Sequence, residues 1–253
     1  MTMPALVIFD LDGTLTESKR PLSDEMAHLF TQLLARTRVA IISGGALPQF
    51  LTQVTARLPG DAHVEHLYLL PTSGAALYEW DNGGWDKIYE ERIPEHEASA
   101  IAALMLQAAK ETGTIDFSEP AWGERIEYRG AQLSLSALGQ QAPLAEKKAW
   151  DPDKTKRRVL RAAIAARLPA DFSAAMGGMT TIDVTKKGID KAYGIRQLCK
   201  RLKLEETNVL YIGDELAAGG NDEAVFTTHA QVHPVSAPAD TERVILSLLA
   251  LGS

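Results

Sequence analysis

The chain has 253 residues, 26 Lys plus Arg against 33 Asp plus Glu, and a formal net charge of −7. Its 45% hydrophobic content can fill one large core or two modest ones, and the acidic balance excludes non-specific nucleic-acid binding as the main task, because phosphate backbones need clustered cations. No apolar run approaches the roughly 20 residues of a membrane helix, no basic segment precedes the apolar Met1–Phe9 stretch, and a single cysteine, Cys199, excludes an intrachain disulfide framework. A cytoplasmic protein without nucleic-acid or membrane partners is expected.

Ala5–Phe9 reads as a buried strand, followed by a helix over Ser23–Thr37 with Ser23 as its N-cap. Val39–Ser43 and Leu67–Pro71 are further strands, flanking a helix around Leu47–Arg57. Continuous apolar runs of this kind suit a parallel sheet covered on both faces. The texture then changes. Ala76–Trp80 and Trp85–Glu91 form a hairpin around Asp81-Asn82-Gly83-Gly84, and Pro94–Thr112 is a helix closed by Gly113. Glu124–Tyr128 and Gln132–Ser136 alternate apolar and polar residues as a second hairpin. Asp151, as N-cap before Pro152, opens a helix reaching about Leu168, and Phe172–Ala175 and Thr180–Thr185 are weaker strands. Buried-strand texture returns with a helix over Lys191–Leu202, a strand over Asn208–Ile212 and a closing helix over Thr241–Leu251. The pattern predicts a doubly wound, mostly parallel α/β core, Rossmann-like, from residues 1–82 and 188–253, interrupted by an α+β cap over residues 83–187.

Carboxylates follow the core strands. Asp10 and Asp12 come directly after the first, with Gly13 permitting a tight turn, and two carboxylates so spaced can hold a cation and face a substrate together. Ser43-Gly44-Gly45 follows the second strand, a hydroxyl and free N–H groups before a helix that suit a phosphate. Gly213-Asp214 follows the late strand, with Gly219-Gly220-Asn221-Asp222 shortly after and Lys191 on the preceding helix. Each alone reads as a turn; the ordered set reads as a site. Neither a dinucleotide nor a P-loop glycine motif is present.

In this order and spacing Asp10-Leu11-Asp12-Gly13-Thr14, Ser43, Lys191 and Gly213-Asp214 resemble the four motifs of the haloacid dehalogenase superfamily, and the insertion resembles its type II cap. Gly177–Val184, Gly188–Lys191 and Gly213-Asp214 with Gly219–Phe226 are similar to the eukaryotic-type phosphomannomutases. The resemblance implies Mg²⁺-dependent phosphoryl transfer through an aspartyl-phosphate on Asp10, with Asp12 as general acid/base and Lys191, Ser43 and Gly44 around the phosphoryl group. It implies metal ligation by Asp10, Asp12 (through its backbone carbonyl), Asp214 and Asp222. Lys19 or Arg20 falls at the core arginine after the Asp-x-Asp motif; Arg129 matches a phosphate-binding cap arginine, and Thr181 and Asp183 match residues that contact the sugar. It further implies a hexose 1,6-bisphosphate activator and a homodimer through the caps. Two cap arginines of the family are replaced here by Gln140 and Lys147, which removes planar forks that grip phosphate bidentately. Two activities therefore stand: mannose 1-phosphate/mannose 6-phosphate interconversion, and a sugar-phosphate phosphatase in which water attacks Asp10-phosphate. The six histidines show no supported metal spacing, and Cys199 reads as core.

Overall fold

The computed structural model describes residues 3–251. The chain divides into two compact units, one of Met1–Glu90, Asp190–Ala218 and Asp222–Ser253, the other of Glu91–Ile189 and Gly219–Asn221. In chain order the first opens with β1 (Leu6–Phe9), α1 (Asp24–Leu34), β2 (Arg38–Ile42), α2 (Leu47–Gln53), β3 (Leu67–Leu70), β4 (Ala76–Asp81) and β5 (Gly84–Glu90). The second unit contributes α3 (Glu95–Thr112), β6 (Ile126–Tyr128), β7 (Leu133–Ser136), α4 (Leu144–Trp150), α5 (Thr155–Ala165), β8 (Phe172–Met176) and β9 (Thr181–Lys186). The first resumes with α6 (Lys191–Leu202), β10 (Val209–Gly213), β11 (Gln231–Pro234) and α7 (Pro238–Leu249).

The first unit is built on a seven-stranded sheet of order β11-β10-β1-β2-β3-β4-β5, parallel from β11 to β3 and antiparallel at the β4–β5 hairpin. Burial of both faces explains the continuous apolar runs. Val7 and Phe9 of β1 pack with Phe30 of α1 and Ile245 of α7 on one face, while Leu6 and Ile8 pack with Ile195 and Leu198 of α6 on the other. Helix α1 begins where expected: Ser23 Oγ accepts from the Met26 N–H at 3.0 Å, and Met26, Phe30 and Leu33 bury one face.

The second unit is a four-stranded antiparallel sheet, order β6-β7-β9-β8, whose apolar face is covered by α3 and α5. Leu133, Leu135, Ile182 and Val184 point into that core with Ile101, Met105, Leu160 and Ile164. Gly113 closes α3 at φ 62°.

Three local expectations shift. The hairpin β4–β5 stays in the seven-stranded sheet because Tyr68 and Leu69 pair with Glu79 and Tyr78, so the first unit runs to Glu90, past the expected break at residue 82. Asp151 does not adjoin the helix it was expected to cap; α5 starts at Thr155, and the Asp151 carboxylate reaches forward to the N–H groups of Lys156 and Arg157 at 2.9 and 3.1 Å. Strand β11 and helix α4 were not anticipated, since Gln231–Pro234 is mostly exposed edge sequence and Leu144–Trp150 spans two turns.

Candidate active site

Strand order places the carboxylates. From β1 the chain winds to β2 and β3 on one side, whereas β10 and β11 lie on the other, so the sheet reverses direction between β1 and β10. Ligands of open α/β sheets bind outside the carboxyl ends of strands at such a point. Phe9 is level with Ile212 and with Ile41, so Asp10, Asp214 and Ser43 emerge at the same edge from three adjacent strands.

There Asp10, Asp214 and Asp222 each offer a carboxylate oxygen within 4.8 Å of the others. Lys191, the first residue of α6, is 1% exposed and donates to Asp10 Oδ1 and Asp222 Oδ1, both at 2.5 Å. Its neighbour Asp190 caps α6 by accepting from the Tyr193 N–H. Tyr211, on the α6 face of β10, donates to Asp222 Oδ1 at 2.6 Å and accepts from Lys191 Nζ at 3.3 Å. The second Asp222 oxygen accepts from the Glu215 N–H, and Thr14 Oγ1 donates to Asp214 Oδ1 at 3.2 Å. Gly13, at φ +98°, is where the backbone passes Asp214; a Cβ there would lie 2.3 Å from Asp214 Oδ2.

Three carboxylates face one ammonium, and the proton affinities of Asp10 and Asp214 report the excess. Burial drives the Asp10 carboxyl well above its ordinary value, with Asp222 and Asp214 pushing the same way against Lys191. Burial and Asp222 raise Asp214 to about 6. Burial pulls the Lys191 ammonium down, but Asp10 and Asp222 more than offset it, so Lys191 holds its proton more tightly than a free lysine. This surplus of buried oxygen anions fits a hard divalent cation.

Asp12 lies outside that acidic group. Its carboxylate turns to α2 and accepts from the Lys19 N–H at 2.7 Å, Gln49 Nε2 at 3.0 Å and Gln53 Nε2 at 3.4 Å. Gln53 also donates to the carbonyl of Arg20, and the side chains of Lys19 and Arg20 are exposed. Ser43 is buried, with its carbonyl accepting from the Ser73 N–H and the Gly45 carbonyl from the Thr72 N–H. Thr72 and Ser73 are consecutive left-handed non-glycine residues, φ 52° and 57°, a conformation costing about 1–3 kcal/mol each and recurrent where loops are held for function. Gly44 lies within the Ser43–Gly45 loop that this turn clasps.

Arg129, Thr181 and Asp183 lie on or directly beside the four-stranded sheet of the second unit. Arg129, its side chain 8% exposed, donates to Glu127 Oε2 at 2.6 Å and to Gln140 Oε1 at 3.4 Å. Thr181 and Asp183 share one face of β9, and Gly177 admits both: a Cβ on it would lie 2.4 Å from Thr181 Oγ1 and 2.5 Å from Asp183 Oδ2. The turn before them is held by Arg157, whose Nη1 donates to the Gly178 carbonyl at 2.8 Å while Nε pairs with the buried Asp151 at 2.9 Å. Lys147 sits buried in α4. Tyr211, Gln49, Gln53 and the Asp151–Arg157 pair were not singled out from sequence. The signals were a polar ring in the buried strand Asn208–Ile212 and two glutamines spaced i, i+4 after Ser43-Gly44-Gly45.

The family model of the eukaryotic phosphomannomutases matches residues 26–251. The chain belongs to this family. Phosphomannomutases to which it is similar include that of Encephalitozoon cuniculi, 29% identical over 250 residues covering 95% of this chain and 91% of the relative. That of Saccharomyces cerevisiae is 25% identical, covering 97% and 94%. Among solved structures, an N-terminally truncated IMP-nucleotidase from Plasmodium falciparum shares the fold with TM-score 0.71 at 18% identity, covering 98% of this chain and 71% of that one. A haloacid dehalogenase-like hydrolase from Bacteroides thetaiotaomicron matches with TM-score 0.62 at 15% identity, covering 97% and 98%. A mixed α/β core with a mostly parallel sheet is thus common to this phosphomannomutase-family chain and to haloacid dehalogenase-like hydrolases. No helix among the described residues is long and apolar enough to cross a membrane.

Proposed function

We propose that the chain is a Mg²⁺-dependent phosphoryl-transfer enzyme acting on hexose phosphates as a phosphomannomutase, interconverting mannose 1-phosphate and mannose 6-phosphate. The observation that carries this reading is the buried Asp10–Lys191–Asp222 cluster, with Asp214 beside it, at the carboxyl edge of β10 and β1 in a member of that family.

Asp10 is the nucleophile. Its carboxylate oxygen bonds to phosphorus as the bond from phosphorus to the sugar oxygen breaks, and the leaving oxygen takes the proton of Asp12. With the phosphoryl group on Asp10, the 6-hydroxyl of mannose 1-phosphate attacks phosphorus, gives its proton to Asp12 and frees Asp10 as the hexose 1,6-bisphosphate forms. The turned bisphosphate then gives its 1-phosphoryl group back to Asp10 and leaves as mannose 6-phosphate. The three donors on the Asp12 carboxylate fix its direction for both transfers. Lys191 compensates charge on the phosphoryl oxygens, while Ser43 Oγ and the Gly44 N–H donate to them. Asp10, Asp214, Asp222 and the Asp12 carbonyl would hold Mg²⁺. When bound, it offsets the repulsion of carboxylate and phosphate, about 4 kcal/mol for one pair at ~4 Å and effective dielectric ~20. Arg129 and Lys147 in the cap bind the distal phosphate, Thr181 and Asp183 bind sugar hydroxyls, and Lys19 or Arg20 supplies a substrate contact in the core. Family membership also supports a hexose 1,6-bisphosphate activator, a homodimer through the caps and a cytoplasmic location.

The test mixes protein, Mg²⁺, mannose 1-phosphate and a trace of glucose 1,6-bisphosphate and follows phosphorus by NMR, with Asp10→Asn as control. Mannose 6-phosphate without free phosphate is the expected result. Free phosphate alone makes the chain a sugar phosphatase on the same frame, and the absence of both removes the hexose assignment.

A further inference from the structure

The second unit's sheet is two-sided by register. Ile126, Leu135, Ile182 and Met176 stand level across β6, β7, β9 and β8 and turn to the helices; the next row, on the opposite face, is Glu127, Ser134, Asp183 and Ala175. Most hydroxyls on this polar face serve the fold. Ser136 Oγ donates to the Gly139 carbonyl and lies 3.2 Å from Thr180 Oγ1, and Thr185 Oγ1 donates to the Ile189 carbonyl. Ser134 differs. It is 1% exposed, and its hydroxyl has no hydrogen-bond partner among the described residues. A buried hydroxyl left unpaired weakens the folded state, and an alanine in its place would not incur that cost.

Its neighbour gives the reason. Ser134 is directly opposite Asp183, so their Cβ atoms are ~4.5–5.5 Å apart on one face. Asp183 is itself only 8% exposed, and Ala175, on the other side of Asp183, is exposed, so the row opens at its β8 end. A carboxylate and a hydroxyl carried on Cβ atoms at that spacing can converge on two adjacent hydroxyls of one pyranose.

We propose that Ser134 is a sugar-contacting, specificity-determining residue whose hydroxyl bonds the substrate hydroxyl next to the one Asp183 binds. The inference rests on the hexose-phosphate reading above. Calorimetric titration of wild type and Ser134→Ala with mannose 1-phosphate and its singly deoxygenated 2-, 3- and 4-deoxy analogues tests it, together with thermal melting of both proteins. Ser134→Ala is expected to melt no lower than wild type, to bind mannose 1-phosphate about 3–10-fold more weakly, and to match wild type on one deoxy analogue only. Equal affinity for mannose 1-phosphate, the same loss against every analogue, or a lower melting temperature would overturn it. Wild-type protein that binds no hexose phosphate overturns the proposed function and this inference together. Wild-type binding with an unchanged Ser134→Ala overturns this inference alone.

Discussion

The two units handle charge in opposite ways. At the carboxyl edge of the parallel sheet, Asp10, Asp214 and Asp222 surround a single ammonium, Lys191, and negative charge is left over in a buried place. In the second unit two buried guanidinium groups are matched: Arg157 pairs with Asp151 at 2.9 Å and Arg129 with Glu127 at 2.6 Å. An arrangement that leaves charge uncompensated costs folding stability and calls for a counterion. A compensated one stabilises the fold and has to be opened to bind an anion. Mutation and pH can separate the two.

The largest effect is expected from Asp10→Asn. Loss of the nucleophile should lower turnover by at least about 10³-fold, read by the phosphorus NMR assay. Because the same change removes one of three crowded carboxylates, the metal-free variant should melt higher than metal-free wild type, by ~2–4 °C for each kcal/mol relieved. A variant that loses activity and melts lower would mean that Lys191 and the carboxylates are balanced without a cation. The mirror experiment in the second unit is Arg157→Met. It strands Asp151, whose side chain is fully buried, and should destabilise by ~3–5 kcal/mol in denaturant unfolding. Arg157→Met together with Asp151→Leu should recover much of that loss, since an ion pair replaced whole by apolar groups leaves no unpaired charge.

The same asymmetry governs what the sequence could reveal. Core strands announce themselves by continuous apolar runs, and the residues that end them, Asp10, Ser43 and Asp214, are adjacent in space because parallel pairing sets Phe9 level with Ile41 and Ile212. Helix α6 was readable to its ends: the span Lys191–Leu202 taken from its pattern is the one that Asp190 caps and Lys203 closes in a left-handed conformation. Tyr211 was hidden by its surroundings: in Val-Leu-Tyr-Ile it reads as one more apolar residue, and only the fold shows its hydroxyl on Asp222. The Asp151–Arg157 pair was misjudged for a related reason. Asp-Pro is a strong helix-start signal, yet the carboxylate serves N–H groups five and six residues on and a guanidinium that holds Gly178. Local pattern names caps and runs; it does not say which buried polar groups meet. Ser134 was visible only as one of the polar positions in an alternating strand.

A pH series sharpens the comparison further. With Asp214 raised to about 6, the metal-free folded state holds this proton more tightly than the unfolded chain, so the group adds stability as pH falls from 7.5 towards 5 and removes it as pH rises through 6. Mg²⁺ requires the ionised carboxylate. Near pH 5 the Asp214 carboxyl is mostly protonated, so on the proposed function apparent Mg²⁺ affinity should fall several-fold between pH 7.5 and 5, measurable by titration calorimetry. The Mg²⁺-induced rise in melting temperature should shrink over the same interval. A Mg²⁺ response independent of pH would place the cation away from Asp214.

The smallest effect has the opposite sign. Glu127→Gln removes the Arg129–Glu127 ion pair, and the Glu127 side chain, 40% exposed, is partly screened by solvent. The pair contributes ~0.2–1 kcal/mol at such a position, so phosphate-ester affinity should improve by up to about fivefold in Glu127→Gln. The gain should fade at high salt as screening weakens the pair in wild type as well. On the proposed function, removing a carboxylate from the Asp10–Asp214–Asp222 group is expected to weaken ligand binding, because the ligand there is a cation. In the cap, removing the Glu127 carboxylate is expected to strengthen binding, because the proposed ligand is an anion that contends with Glu127 for Arg129. If Glu127→Gln instead weakens phosphate binding, the ion pair's task is to aim the guanidinium rather than restrain it, and orientation outweighs charge on that face.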